Sequence, residues 1–156
     1  MISIEIPGFK TLMLHHIVLD YNGTIATDGK LINGVKELLA LLAQKLQIHI
    51  ITADTFGNVE KEMIGIPCTV LILPIHDQDR GKLEYIQQIG KENTVCIGNG
   101  RNDRLMLKDA ALGIAVIQEE GCAAEAIMAA DVVIFHIIDA LNLLTNPLRL
   151  TATLRS

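Results

Sequence analysis

The sequence predicts an α/β fold: a three-layer, doubly wound (Rossmann-like) sheet of mostly parallel strands. Three observations carry that prediction. Short apolar runs such as Ile17-Val-Leu19, Ile48-His-Ile-Ile51 and Val95-Cys-Ile97 have the length and β-branched content of buried strands. Helical stretches with one apolar face stand between them, and that alternation is the mark of a parallel sheet covered on both faces. The apolar runs end in polar or turn residues, among them Asp20-Tyr-Asn-Gly23 and Gly98-Asn-Gly100.

Composition supports one well-filled domain spanning residues 1–156. A chain of 156 residues can bury about 70% of its unfolded surface without disulfides or metals. Half its residues are hydrophobic but only 3% are aromatic and none is Trp, so the core must be aliphatic. A net charge of −5 argues against a general nucleic-acid surface. No run of about 18 apolar residues is present, so no membrane span is expected. Glu5 and Pro7 stand where a signal peptide would carry its apolar run. Cys68, Cys96 and Cys122 lack metal or redox spacing and are read as reduced core thiols. The expected location is the cytoplasm.

In chain order, residues 1–6 alternate Ile2, Ile4 and Ile6 with polar residues, as a half-buried edge strand does. Leu12 to Leu19 is the first core strand. Lys30 to Gly34 forms a turn into a helix that presents Val35, Leu38, Leu39 and Leu42 on one face. Leu46 to Ile51 is the second strand, closed by Thr52. Phe56 to Ile64 is a short helix stopped by Gly65 and Pro67. Cys68 to Leu73 is a strand, Asp79 to Ile89 a helix ended by Gly90, and Thr94 to Ile97 a strand. Asn102 to Ala110 is helical, Leu112 to Ile117 a strand, Gly121 to Ala130 helical, Val132 to Phe135 the last strand and Ile138 to Leu144 a closing helix. No repeat, linker or low-complexity segment interrupts the series.

Four polar positions fall at or beside strand ends: Asp20, Thr52, Lys82 and Asp103. Parallel strands bring their carboxyl ends to one side, so these can share one crevice. The set suits phosphoryl transfer. A phosphate monoester carries about −1.5 to −2 charges near pH 7, so a carboxylate can approach it only if cations offset that charge. Lys82 supplies one, and Mg²⁺, a hard oxygen-seeking ion, suits carboxylates and backbone carbonyls. Asp20 could attack phosphorus in line, with Thr52 and turn N–H groups, Ala53 among them, holding phosphate oxygens. Each position also has a plainer reading: Thr52 as a helix cap, Lys82 as a solvated helix lysine, Asp103 as a first-turn carboxylate. Asp54, Asp77 and Asp79 are read as surface or cap residues, and the five histidines show no ligand spacing.

Asp20-Tyr-Asn-Gly-Thr24, Thr52 in Ile51-Thr-Ala-Asp54, Lys82 in Gly81-Lys-Leu83, and Gly98-Asn-Gly-Arg-Asn-Asp103 resemble the four motifs of the haloacid dehalogenase (HAD) superfamily. The resemblance runs from about Ile17 to Leu144. Within the superfamily it is strongest to the phosphorylation domain of P-type cation ATPases, which Gly113-Ile-Ala115 and Ala129-Ala-Asp-Val-Val133 also resemble. It implies Asp20 as nucleophile and Mg²⁺ ligand, a metal contact from the Asn22 carbonyl, phosphate binding by Thr52, and Lys82 steadying nucleophile and phosphate. It implies a metal role for Asp103 and for position 99. Two departures stand out. Phosphatases of the superfamily carry an acid/base Asp two residues past the nucleophile, and this chain has Asn22, as P-type ATPases lack that Asp too. Asn99 replaces an Asp and removes a carboxylate from the metal site.

Thirty-two positions separate Asp20 from Thr52 and thirty separate Thr52 from Lys82. Predicted elements fill both gaps, so no cap domain fits, and neither does the nucleotide-binding domain of a pump. An open crevice suits a large phosphorylated substrate, or a cap lent by another subunit of a homo-oligomer. The expected function is a slow Mg²⁺-dependent phosphatase-type hydrolase working through an aspartyl-phosphate. The alternative is a phosphate- and Mg²⁺-binding regulatory module of weak activity. A two-component receiver domain fits less well, because its phosphoacceptor follows the third strand.

Overall fold

The computed structural model of the chain describes residues 1–53, 57 and 59–156. Six strands form the central sheet: β3 (His16–Asp20), β6 (Gln47–Thr52), β7 (Cys68–Ile72), β8 (Thr94–Gly98), β9 (Leu112–Val116) and β10 (Val132–Ile134). Their order is β10-β9-β8-β3-β6-β7, and every neighbouring pair is parallel. From β3 the chain winds outward through β6 to β7, then returns to the other side of β3 and runs through β8 and β9 to β10. The reversal places a topological switch point at β3, where open α/β sheets form their ligand crevice beyond the strand carboxyl ends.

Burial on both faces explains why these strands are continuous apolar runs. Ile17, Leu19, Ile48, Ile50, Val95, Ile97, Ile114 and Val116 point to one side. There they pack against α1 (Val35–Leu42), α6 (Ile137–Thr145) and α7 (Pro147–Leu154). Val18, Ile51, Cys96 and Ala115 point to the other, against α3 (Gln78–Ile89), α4 (Arg104–Asp109) and α5 (Ala124–Ala129). α1 follows the expected periodicity, with Val35, Leu39 and Leu42 buried and Leu38 partly buried against the same core. The three cysteines are free thiols, with Cys96 buried in β8.

Several elements differ from the sequence expectation. The predicted strand from Leu12 to Leu19 is two strands, β2 (Lys10–Leu14) and β3, separated at His15. β2 pairs antiparallel with β1 (Ile2–Ile6), so the N-terminal strand belongs to a separate hairpin and not to the edge of the main sheet. Its alternation is as expected, with Ile2, Ile4 and Ile6 facing the core and α7 covering them. The turn before α1 contains a two-stranded hairpin of β4 (Ala26–Thr27) and β5 (Lys30–Leu31). The short helix between β6 and β7 is α2 (Val59–Glu62), and the Phe56 at which it was expected to begin lies outside the described residues, as does Asp54. A 3₁₀ turn (Arg101–Asp103) precedes α4, and α7 was not expected at all. No helix among the described residues is long and apolar enough to cross a membrane.

Candidate active site

At the switch point the strand ends converge on a small crevice of about 160 Å³. Asp20, the last residue of β3, lines it together with Asn22, Thr52 at the end of β6, Ala53, and Asn99 and Gly100 just past β8. Gln78 and Asn102 complete the wall.

Behind the crevice lies Lys82. Its ammonium, fully buried, donates to Asp20 Oδ1 and to Asp103 Oδ1, both at 2.6 Å. The solvated-lysine reading is therefore wrong. α3 carries Lys82 on its buried face, one turn ahead of the core residue Ile86. Burial alone would lower the lysine pKa. The attraction of Asp103 and then Asp20 outweighs it and holds the group well above its ordinary value. Asp20 shifts oppositely. Burial first, then repulsion from Asp103, pushes its carboxyl up to about 6, against the pull of Lys82. Two buried carboxylates thus share one lysine, leaving a net charge of about −1 that favours a further cation at the mouth.

Asp103 takes a different place from the one the motif implies. Its Oδ1 is held by Lys82, and its Oδ2 accepts from the backbone N–H groups of Asn99 at 3.0 Å and Gly100 at 2.8 Å. With no exposure and every contact directed inward, it does not line the crevice. Its role is to orient Lys82 and to fold the Gly98–Gly100 turn. A Cβ on Gly98 would run into the Asp103 carboxylate, which is why the strand must end in glycine there.

The turn after β3 is held equally firmly. Thr24 Oγ1 lies 3.2 Å from Asp20 Oδ2 and 3.0 Å from Asn99 Oδ1, bridging the two strand ends. Asn99 Nδ2 donates to the Gly121 carbonyl at 3.0 Å. Gly23 has a left-handed φ of 75°, and a Cβ there would strike the Asn99 amide. Gln118 acts as a staple: its Nε2 donates to the carbonyls of Gly23 (3.0 Å) and Thr24 (2.7 Å), and its Oε1 accepts from the Ile137 N–H that opens α6. Nothing in the local sequence marks Gln118 or Gln78 as a site residue, because their roles arise from contacts across the fold. Thr24 and Asn102 lie within the motif stretches Asp20–Thr24 and Gly98–Asp103, and the resemblance assigns neither a role.

Among the described residues that line the crevice, Asp20 supplies the one carboxylate, and Asn22, Thr52, Gln78, Asn99 and Asn102 carry neutral oxygens. Asn22 Oδ1 is buried without a hydrogen-bond partner among the described residues. An orphaned buried oxygen beside a carboxylate fits a hard cation such as Mg²⁺, although with one carboxylate in the set the charge attraction is weak. Asp77 is the left-handed residue just before α3, and Asp79 is ion-paired to Arg104 at 2.6 Å. His49 lies inside β6, hydrogen-bonded to His16 (3.2 Å) and Tyr85 (2.8 Å), and the described residues contain no cluster of three or more His, Cys, Asp or Glu able to hold a metal.

No protein-family model matches the chain. It is 47% identical over 78 residues to the uncharacterized protein MJ0073 of Methanocaldococcus jannaschii, covering 84% of that protein and 47% of this chain. The chain belongs to the MJ0073 family. It is also 59% identical over 39 residues to the uncharacterized protein MJ0072 of the same organism, covering 89% of that protein and 25% of this chain. Solved structures identify the fold of this MJ0073-family chain. The cobalt-bound deoxy-D-mannose-octulosonate 8-phosphate phosphatase from Haemophilus influenzae superposes with a TM-score of 0.70 at 13% identity, over 90% of each chain. The corresponding phosphatase from Moraxella catarrhalis, in complex with magnesium, phosphate and KDO, has a TM-score of 0.66 at 17% identity, over 92% of this chain and 94% of that one. A phosphoserine phosphatase gives 0.62 at 16%, over 83% and 98%. The fold is the HAD-like Rossmann-type α/β fold.

Proposed function

We propose that this protein is a slow, Mg²⁺-dependent phosphatase-type hydrolase acting through an aspartyl-phosphate on Asp20. The observation that carries the reading is the Asp20–Lys82–Asp103 triad at the switch point, with Asp20 alone of the two carboxylates facing the crevice. The HAD-like fold and its phosphatase neighbours support it. Mg²⁺ would be held by Asp20, Asn22 and Asn99, and would neutralise phosphoryl oxygens when bound. Thr52 and Ala53 line the far wall, where a hydroxyl and backbone N–H groups suit the remaining oxygens. Asp20 attacks phosphorus, an Asp20 Oδ–P bond forms, and the ester P–O bond breaks with the electron pair leaving on the alcohol oxygen, which takes its proton from solvent water. Water then attacks the phosphorus of the acyl phosphate, a new O–P bond forms, the Asp20 Oδ–P bond breaks to regenerate the carboxylate, and inorganic phosphate leaves as the water gives up a proton. That second half needs a base for the water, and the amide of Asn22 is none. A positioned carboxylate contributes typically 10²–10⁴-fold, so turnover is slow. The absence of a carboxylate at 22 is shared with the P-type ATPase phosphorylation domain in the sequence resemblance, and supports kinship with that branch. The crevice takes the phosphoryl group alone, so the leaving group lies outside its mouth, where a cap from a second subunit could cover it.

A second reading, a phosphate-binding regulatory module, is favoured by the amide-rich wall of Asn22, Gln78, Asn99 and Asn102. Hydrolysis of an aryl phosphate separates the two. Wild type should turn over slowly with Mg²⁺, Asn22→Asp faster, and Asp20→Asn not at all. If wild type and Asn22→Asp are both indistinguishable from Asp20→Asn, the hydrolase reading fails.

A further inference from the structure

Beside the phosphoryl crevice lies a second cavity of about 330 Å³, lined by Ile75, Gln78, Asp79, Arg101, Asn102 and Arg104. The two cavities share Gln78 and Asn102. Their common wall is one amide–amide hydrogen bond, Asn102 Nδ2 to Gln78 Oε1 at 2.6 Å, with Gln78 Nε2 tied back to the Ile75 carbonyl at 3.0 Å. Gly100 faces the crevice, Arg101 the second cavity and Asn102 both. Consecutive Cα atoms are 3.8 Å apart, so the two spaces open within roughly 8 Å of each other.

The two arginines are differently employed. Arg104 is structural: Nη1 donates to the Arg101 carbonyl at 2.9 Å and Nη2 to Asp79 at 2.6 Å, which neutralises its charge. Arg101 is held only through Nε, to Glu125 at 2.9 Å, and its two Nη groups donate to nothing among the described residues. The side chains of that pair are 71% and 52% exposed, so the contact is solvent-screened and easily exchanged. A guanidinium with a free fork is matched to an oxyanion.

The crevice, at about 160 Å³, has room for little beyond a phosphoryl group, so a leaving group must emerge through its mouth. We infer that the cavity holding Arg101 is a leaving-group subsite, and that the preferred substrate is a small aliphatic phosphate ester bearing a second oxyanion, a carboxylate or another phosphate. Arg101 receives that oxyanion, the Gln78 and Asn102 amides bind hydroxyls between the two ends, and Ile75 covers the carbon skeleton. Among the described residues, no aromatic side chain lines either cavity. This assignment rests on the phosphate-ester reading of the Asp20 crevice.

Calorimetric titration with non-hydrolysable phosphonates in excess Mg²⁺ tests it. Wild type should bind phosphonoacetate about tenfold more tightly than methylphosphonate, the size of one charge-assisted hydrogen bond. Arg101→Ala, a substitution at an exposed side chain, should bring the two affinities together, and Glu125→Gln should widen the gap by freeing Arg101. A methylenediphosphonate arm distinguishes the anions: tighter binding than phosphonoacetate assigns a second phosphate, weaker binding a carboxylate. Equal affinities in wild type, a preference that survives in Arg101→Ala, or binding of neither phosphonate overturns the subsite. A phosphonoacetate preference that depends on Arg101, in a protein that hydrolyses no phosphate ester, overturns the phosphatase reading and leaves the subsite standing.

Discussion

Replacing Lys82 with methionine removes the cation that lies 2.6 Å from both Asp20 and Asp103, while keeping a side chain of similar length in the same packing. The cost is therefore electrostatic. Breaking a buried ion pair by deleting one partner costs about 3–5 kcal/mol, because the remaining charge is left desolvated. Against a total stability of about 5–15 kcal/mol for a domain, that is a large share. At about 2–4 °C per kcal/mol for a chain of this size, the melting temperature should fall by roughly 6–20 °C in metal-free buffer at pH 8. The loss should also depend on pH. The Asp20 carboxyl is pushed up from 3.8 to about 6 with Lys82 still pulling it down, so without the lysine it must rise further. A carboxyl whose folded pKa exceeds its unfolded one binds extra protons in the folded state, and stability then falls as pH rises through that window. The deficit of Lys82→Met should accordingly be smallest near pH 5 and grow toward pH 8. Urea unfolding of both proteins at the two pH values, in chelator, measures it. A variant within about 1 kcal/mol of wild type at pH 8, or a deficit that does not change with pH, would refute the claim that Lys82 holds two buried charges together.

Asn99→Asp places a carboxylate oxygen where an amide N–H now meets the Gly121 carbonyl at 3.0 Å. The metal-free variant should lose about 1–3 kcal/mol, yet gain more melting temperature from Mg²⁺ than wild type does; equal gains would show that position 99 does not face the ion. Gln118→Ala removes two donors to the Gly23 and Thr24 carbonyls and the acceptor for Ile137 N–H, and should cost about 2–3 kcal/mol in chemical unfolding while weakening phosphate binding. An unchanged unfolding midpoint would rule out the staple. Asp20→Asn abolishes a titration raised to about 6, so in metal-free buffer the stability of wild type relative to the variant should fall by about 2–3 kcal/mol between pH 4 and pH 7, read from urea midpoints.

Much of this architecture was legible one stretch at a time. Buried strands such as Ile17-Val-Leu19 announce themselves because both sheet faces are covered, and the glycines and polar residues that end them mark where the chain leaves the core. Asp20, Thr52 and Lys82 were legible as a set because each sits at a fixed place relative to such a run. The hairpin of β1 and β2 was not, since an apolar run from Leu12 to Leu19 looks the same whether it crosses one sheet or leaves one hairpin to enter another. Periodicity reports which side of a residue is buried, not which strand lies beside it.

The site divides along the same line. By itself the sequence determined the fold class, the strand-end position of Asp20, and the absence of carboxylates at 22 and 99, because these depend on residue type and local pattern. Only the tertiary structure decided that Lys82 is buried between two carboxylates, and that Asp103 spends both oxygens on Lys82 and on the Asn99 and Gly100 N–H groups. It alone brought Gln118, 95 residues away, onto the Gly23 carbonyl, and set Arg101 one amide pair away from the crevice. A side chain's charge state and hydrogen-bond partners depend on what lies within a few ångströms, and for these residues those neighbours come from distant parts of the chain.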